Sequence, residues 1–193
     1  IIGHTAHDKP ITMYQYGNDD ASRTVLMNFG MHGNETGTVK LAMKLLEALD
    51  TKSIDIPADL KVLIIPCLNL DGFERALKNQ DYFWGWSVWK FNGNDVELVK
   101  NISSLENHSK KTKMRISWKM VTADGWDTPF SEPESQALRT VIKDYTPDLF
   151  IDHHNAYPCV WWETTPQAKQ IAEKYRELTG RWDRDQLYVT PDY

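Results

Sequence analysis

Apolar positions along the chain change period several times, and each change marks an element. Ile11-Thr12-Met13-Tyr14-Gln15-Tyr16 alternates and runs into Gly17-Asn18-Asp19-Asp20, which predicts a strand followed by a turn. Thr24 to Phe29 is a second strand-like run. From Glu35 to about Leu49 the spacing becomes helical, with Val39, Ala42, Met43, Leu46 and Leu49 on one face. A polar loop, Lys52 to Asp59, separates this helix from Leu60-Lys61-Val62-Leu63-Ile64-Ile65-Pro66. That run is almost continuously apolar, as expected of a strand buried on both faces. Asn69-Leu70-Asp71-Gly72 then reads as a turn.

Residues 78 to 128 have no clean period, although Trp84, Trp86 and Trp89 cluster there. Order returns at Ser131-Glu132-Pro133-Glu134, which reads as a capping box with Ser131 at the N-cap, Pro133 in the first turn and Glu134 at N3. Ala137, Leu138, Val141 and Ile142 supply the apolar face of the helix that follows. Asp148 to Asn155 predicts another strand, and Cys159-Val160-Trp161-Trp162 one more. Thr165 and Pro166 open a helix that reaches Thr179 and closes at Gly180, and Leu187-Tyr188-Val189 begins a last strand. This order of elements predicts an α/β fold: a mixed, mostly parallel twisted sheet with helices on both faces. With 193 residues and neither a repeat nor a linker, the expectation is one domain over residues 1–193.

Composition narrows the function classes. A net charge of −5 argues against nucleic acid or an acidic membrane surface as partner, since either favours a basic face. No apolar run reaches membrane-spanning length. The start, Ile1-Ile2-Gly3-His4, shows neither the charged nor the apolar region of a signal peptide and no initiator Met, so the chain is expected to be trimmed or partial there and its location stays open. Cys67 and Cys159 both lie in apolar runs and are expected to be buried free thiols, which excludes a disulfide scaffold.

Three strands end in polar turns: His32 and Glu35 after the first, Asn69 and Asp71 after the next, His153 and His154 after a third. Parallel neighbours would bring these turns to one edge of the sheet, where ligands bind in open α/β folds. His32 and Glu35, in the glycine-rich turn Gly30-Met31-His32-Gly33-Asn34-Glu35-Thr36-Gly37, stand three residues apart and can reach one ion. The plainer reading is an exposed turn histidine and a glutamate at the positive end of a helix. A third ligand from the later strand would complete a His-Glu-His zinc site with one open position. Asp152 and His154 share a strand face and His153 takes the other, which favours His154. His153 then reads as a hydrogen-bonded histidine against a covering helix. His4 and His7 read as exposed, His108 as a loop residue without a partner, and Lys110-Lys111-Thr112-Lys113 as a solvated loop.

With these residues in place, the chain resembles the zinc carboxypeptidase family, which includes the pancreatic carboxypeptidases and the bacterial murein-peptide amidases. Gly3-His4-Thr5 through Lys9-Pro10-Ile11 is similar to the family's opening segment, and His32-Gly33-Asn34-Glu35 matches its first zinc motif. Asn69-Leu70-Asp71-Gly72-Phe73-Glu74-Arg75 resembles its Asn-Pro-Asp-Gly turn, with Leu70 for the proline. Pro129-Phe130-Ser131-Glu132-Pro133-Glu134 matches the bacterial form of the family, and Asp152-His153-His154-Asn155 its second zinc motif. The resemblance implies a single catalytic domain that holds zinc on His32, Glu35 and His154 and hydrolyses a peptide or amide bond in a substrate with a free carboxylate, cell-wall peptides included.

Several positions depart from the family pattern. The family's Asp that braces the first zinc histidine corresponds to Glu97. Its Asn-Arg pair, which holds the substrate carboxylate, corresponds to Val99 and Lys100, and its carbonyl-polarising arginine to Lys90. Lysine keeps the charge without arginine's two-pronged grip. The family's catalytic glutamate falls beyond Tyr193, so the domain is expected to be incomplete, or inactive. Glu163 and Glu173 are given no role. Two other functions fit the same ligand set: an N-acyl amino acid deacylase, and a zinc-bearing binding module without catalysis.

Overall fold

In the computed structural model of the protein, residues 1–78, 90–102, 113–116, 119–122, 129–155, 159–160, 166–179 and 182–183 are described. The chain divides into two compact units, Ile1–His154 and Asn155–Tyr193.

In the first unit, the alternating run divides between two sheets. Gly3–His4 (β1) and Pro10–Ile11 (β2) form an antiparallel pair with Gly3 opposite Ile11. The chain then changes partner, and Tyr14–Gly17 (β3) pairs antiparallel with Leu60–Ile65 (β5). The single strand expected over residues 11–16 is therefore two, because Ile11 already has its hydrogen-bonding neighbour in the first pair: Ile2 N–H donates to Ile11 O at 2.9 Å.

Arg23–Phe29 (β4) lies between β5 and Leu149–His153 (β8), parallel to both, so the main sheet runs β3-β5-β4-β8. Side-chain alternation gives this sheet two apolar faces. Leu26, Leu63 and Ile65 pack with Ala137, Leu138 and Val141 of the helix Pro133–Tyr145 (α4). Phe29, Val62 and Ile64 pack with Ala42, Leu46 and Leu49 of the helix Thr36–Asp50 (α1). Leu26, Leu63, Ile64 and Ile65 are fully buried, which stabilises the fold by roughly 1.5–3 kcal/mol per side chain. Met43 is an exception to the expected stripe at 55% exposed, because it stands on the flank of the arc formed by Val39, Ala42, Leu46 and Leu49.

Helices thus cover both faces of a mixed sheet. The chain leaves β4 toward β5 by way of α1 on one face, and reaches β8, on the other flank of β4, from α4 on the opposite face. The carboxyl ends of β4 and β8 are where the winding reverses, the usual place for a crevice in an open α/β sheet.

Two local expectations change. Asn69 to Gly72 is the start of a helix, Leu70–Lys78 (α2), with the Asn69 side-chain oxygen accepting from the Gly72 N–H at 2.9 Å as an N-cap would. Ser131 is not the cap of α4: Glu132 stands at the cap position without a side-chain capping bond, and Pro133 opens the helix. The Ser131 hydroxyl instead donates to Glu132 Oε1 and accepts from Asn101 Nδ2. Glu134 is fully buried, accepting from the Ala6 N–H and from Asn92 Nδ2, each at 3.0 Å. Within the aperiodic stretch lie a short helix, Leu98–Asn101 (α3), and an antiparallel pair, Lys113–Ile116 (β6) with Lys119–Thr122 (β7). These elements are too short to show a period.

The second unit contains the parallel pair Cys159–Val160 (β9) and Trp182–Asp183 (β10), and the helix Pro166–Thr179 (α5). The Trp84–Trp89 cluster, His108, Thr165, Gly180 and the strand expected from Leu187 lie outside the described residues. Among the described residues, no helix is long and apolar enough to cross a membrane.

Candidate metal centre

The turn after β4 is held by its own backbone. Gly30 has φ +64°, a left-handed conformation that glycine adopts without strain, and a Cβ there would crowd Val39 and Cys67 at 3.0–3.2 Å. Its N–H donates to the Thr38 hydroxyl at 3.1 Å, and that hydroxyl donates to Glu35 O at 2.9 Å, which ties the turn to the first turn of α1. Met31 is fully buried next to His32. Glu35 occupies the N-cap position of α1 but makes no capping bond, so its carboxylate is available to the crevice.

Two histidines meet that carboxylate. His32 Nδ1 lies 3.1 Å from Glu35 Oε1, and His154 Nδ1 lies 2.8 Å from Glu35 Oε2. The rings stand edge to face with centroids 4.9 Å apart. One ligand atom from each of the three residues falls within 4.8 Å of the others. The outward nitrogens also face carboxylates: His154 Nε2 lies 2.9 Å from Asp152 Oδ2, and His32 Nε2 lies 3.6 Å from Glu97 Oε1. At 3.6 Å the second contact is an ion-pair approach, and His32 Nε2 has no hydrogen-bond partner.

His153 does not join them. Its ring stacks on Phe29 with centroids 4.0 Å apart, and its Nδ1 lies 3.1 Å from Asn28 O. It therefore packs on a neighbouring strand's aromatic ring, which in turn packs against α1. His7 also stays apart, 3.5 Å from an Asp71 oxygen.

Charge in the crevice is balanced locally. Burial alone would raise the Glu35 carboxyl, but hydrogen bonds with His154 and His32 outweigh it and hold the group at about 2. Burial disfavours the His154 imidazolium, but Asp152 and Glu35 raise that ring to about 10. His32 is raised in the same way, burial being outweighed by Glu35 and Glu97. His153, whose partner is a neutral carbonyl, is lowered by burial.

Glu97 opens α3 and also receives both site lysines: Lys90 Nζ at 2.9 Å from Oε1 and Lys100 Nζ at 3.2 Å from Oε2. Burial pushes its carboxyl up, and His32 and the two lysines hold it at about 2. The backbone at Lys90 is drawn to the turn after β4, its carbonyl accepting from Gly33 N–H at 3.4 Å and from Asn69 Nδ2 at 3.2 Å.

The sequence pattern names two further residues here without giving either a role. Asp152 shares the strand face of His154 and stands behind its ring. Asn69, among the polar turns at the sheet edge, links α2 to the backbone at Met31 and Lys90. The donor set fits a catalytic zinc: two imidazole nitrogens and a carboxylate converge, each ring has a carboxylate behind it, and the crevice edge is open, with His154 26% exposed.

The sequence profile of the zinc carboxypeptidase family matches residues 1–180. An uncharacterized protein of Bacillus subtilis is 22% identical over 213 residues, spanning 93% of this chain and 55% of that protein, so the chain covers about half its relative's length. Among solved structures, murein-tripeptide amidase MpaA from Escherichia coli O157 is similar in fold at a TM-score of 0.66 and 21% identity, over 98% of this chain and 73% of that one. Carboxypeptidase A from Helicoverpa armigera is similar at a TM-score of 0.72 and 19% identity, over 91% of this chain and 47% of that one.

Proposed function

The chain belongs to the zinc carboxypeptidase family, and from that premise we propose that it binds zinc through His32, Glu35 and His154 and serves hydrolysis of a peptide or amide bond in a substrate with a free carboxylate. The observation that most supports this reading is the orientation of the two rings. Both Nδ1 atoms meet at Glu35, and both Nε2 atoms face a carboxylate, the arrangement that orients metal-binding imidazoles. Zinc, when bound, supplies Lewis-acid polarisation of the scissile carbonyl and lowers the pKa of water to about 7.

The remaining work falls to the chain's own side chains. Glu97 and Asp152 fix the ring orientations. Lys90, 23% exposed, offers a donor to the charge that develops on the substrate oxygen. Lys100, 35% exposed, attracts the substrate carboxylate as a point charge with flexible reach. The carboxylates recorded at the site, Glu35, Glu97 and Asp152, all carry histidine or lysine partners, so we assign the role of general base to none of them.

The test is an assay of the full-length, zinc-loaded protein on peptide pairs that differ only in a free or amidated terminus. Free acids should be preferred, and Lys100→Met should raise KM for the acid while leaving the amide unchanged. Equal cleavage of acid and amide by the unaltered protein would remove the carboxylate clamp and leave an amidase or endopeptidase.

A further inference from the structure

We infer that Glu97 is a positioning residue for both site lysines: its single carboxylate determines where the Lys90 and Lys100 ammonium groups stand beside the metal ligands. Its two oxygens are divided between them, Oε1 to Lys90 at 2.9 Å and Oε2 to Lys100 at 3.2 Å, with His32 Nε2 a further 3.6 Å from Oε1. The lysines reach it from separate places. Lys90 comes from the segment pinned by Asn69 and Gly33, and Lys100 from one turn along α3.

Burial gives the arrangement its force. Lysine loses rotamer freedom when its head is fixed, and an exposed ion pair rarely offsets that loss. The Glu97 side chain, however, is only 8% exposed. A buried carboxylate stripped of its cations is strongly unfavourable, so the ammonium groups are drawn to where that carboxylate lies. The backbone leaves the group available for this role. Glu97 stands at the N-cap position of α3, yet its side chain makes no capping bond and turns to the crevice. The shorter Ser, Thr, Asp or Asn favoured at such positions would bond back to the helix N–H groups.

Resting on the proposed function, a substrate carboxylate at Lys100 shares that lysine with Glu97, which faces it at 3.2 Å.

The test measures the lysines directly. Purified full-length protein, with zinc and after chelation, is treated with an amine-acylating reagent, and the rate at each lysine is read by peptide mass spectrometry. Lys9, paired with Asp71 and Glu74 at 2.9 Å, is the internal reference. Glu97→Gln should speed acylation of Lys90 and Lys100 several-fold and leave Lys9 unchanged; unchanged rates at Lys90 and Lys100 overturn the inference. If Lys9 also speeds up, the variant has lost its fold, and Lys90→Met and Lys100→Met decide instead. The surviving lysine then no longer shares the carboxylate with the other and should react more slowly, and an unchanged rate overturns the inference. Failure of the proposed function would appear separately, as absent zinc or absent hydrolysis, with the acylation pattern intact.

Discussion

Two buried glutamates meet the segment from Asn92 to Glu97, Glu97 as its last residue and Glu134 of α4 through Asn92, and their surroundings act on them in opposite directions. Glu97 is faced by His32, Lys90 and Lys100. Glu134 is faced by neutral donors, the Ala6 N–H and Asn92 Nδ2, and Asn92 Nδ2 also donates to a second carboxylate, Glu132, at 2.8 Å. Burial raises both carboxyls. At Glu97 the cations more than offset it and the group is held at about 2, whereas at Glu134 burial, with the neighbouring Glu132 charge, outweighs the donors and the group stays raised. The partner's charge, not the depth of burial, separates a site built to handle charge from a clasp that joins the first residues, the loop at Asn92 and α4.

The largest expected effect is on metal. His32→Ala or His154→Ala should reduce zinc from about one per chain to background in metal analysis of purified protein, while His153→Ala and Glu134→Gln should keep it. His153→Ala should instead cost stability, roughly 0.5–3 kcal/mol, by removing the ring that stacks on Phe29 and bonds to Asn28 O. If His153→Ala strips the metal and His154→Ala does not, the strand-face assignment fails.

The next effect sharpens the contrast between the glutamates through the sign of its pH dependence, read from denaturant melts of chelated protein. Glu97 is lowered from 4.5 to about 2, so its stabilisation is present above 4.5 and lost as pH falls toward 2. Glu97→Gln should therefore destabilise by about 1–3 kcal/mol at pH 7 and much less near pH 2. Glu134 is raised above 4.5, so the folded state binds more protons than the unfolded state from 4.5 upward, and stability declines with pH across that window. Glu134→Gln should remove that decline and be better tolerated at pH 8 than at pH 4. Parallel pH responses of the two variants would contradict the contrast.

The smallest effect is on zinc uptake with pH. Protons compete for the ring nitrogens, and His154 stands at about 10. Between pH 6 and 8, zinc affinity measured by chelator competition should rise about tenfold per pH unit for each proton displaced. A second proton, from the raised His32, steepens the slope at the acid end. An affinity independent of pH would mean that the rings are neutral before zinc arrives.

Much of this was legible in the sequence because it is local. The three-residue spacing of His32 and Glu35, the turn at Gly30, the shared face of Asp152 and His154, and the apolar stripes of α1 and α4 follow from backbone periods and steric rules that act within one or two turns. The same rules mislead where a side chain has a distant alternative. Ser131 and Glu134 have the spacing of a capping box, but Asn101 takes the Ser131 hydroxyl as acceptor, and Ala6 and Asn92 bind the Glu134 carboxylate. Asn69 to Gly72 has turn composition but opens a helix.

The sequence by itself determined which residues could carry the chemistry, and to which face of its own strand or helix each belongs. Only the tertiary structure decided which of them meet. Glu35 and His154, 119 positions apart, come within 2.8 Å because β8 pairs with β4 in a register that sets His153 opposite Phe29. That register is specified by burial of both sheet faces, since a slip of one residue would turn every apolar side chain toward the wrong helix. The gathering of Lys90 and Lys100 on Glu97 is likewise a result of packing: the carboxylate is buried, and a buried charge draws in the cations that the fold brings within reach.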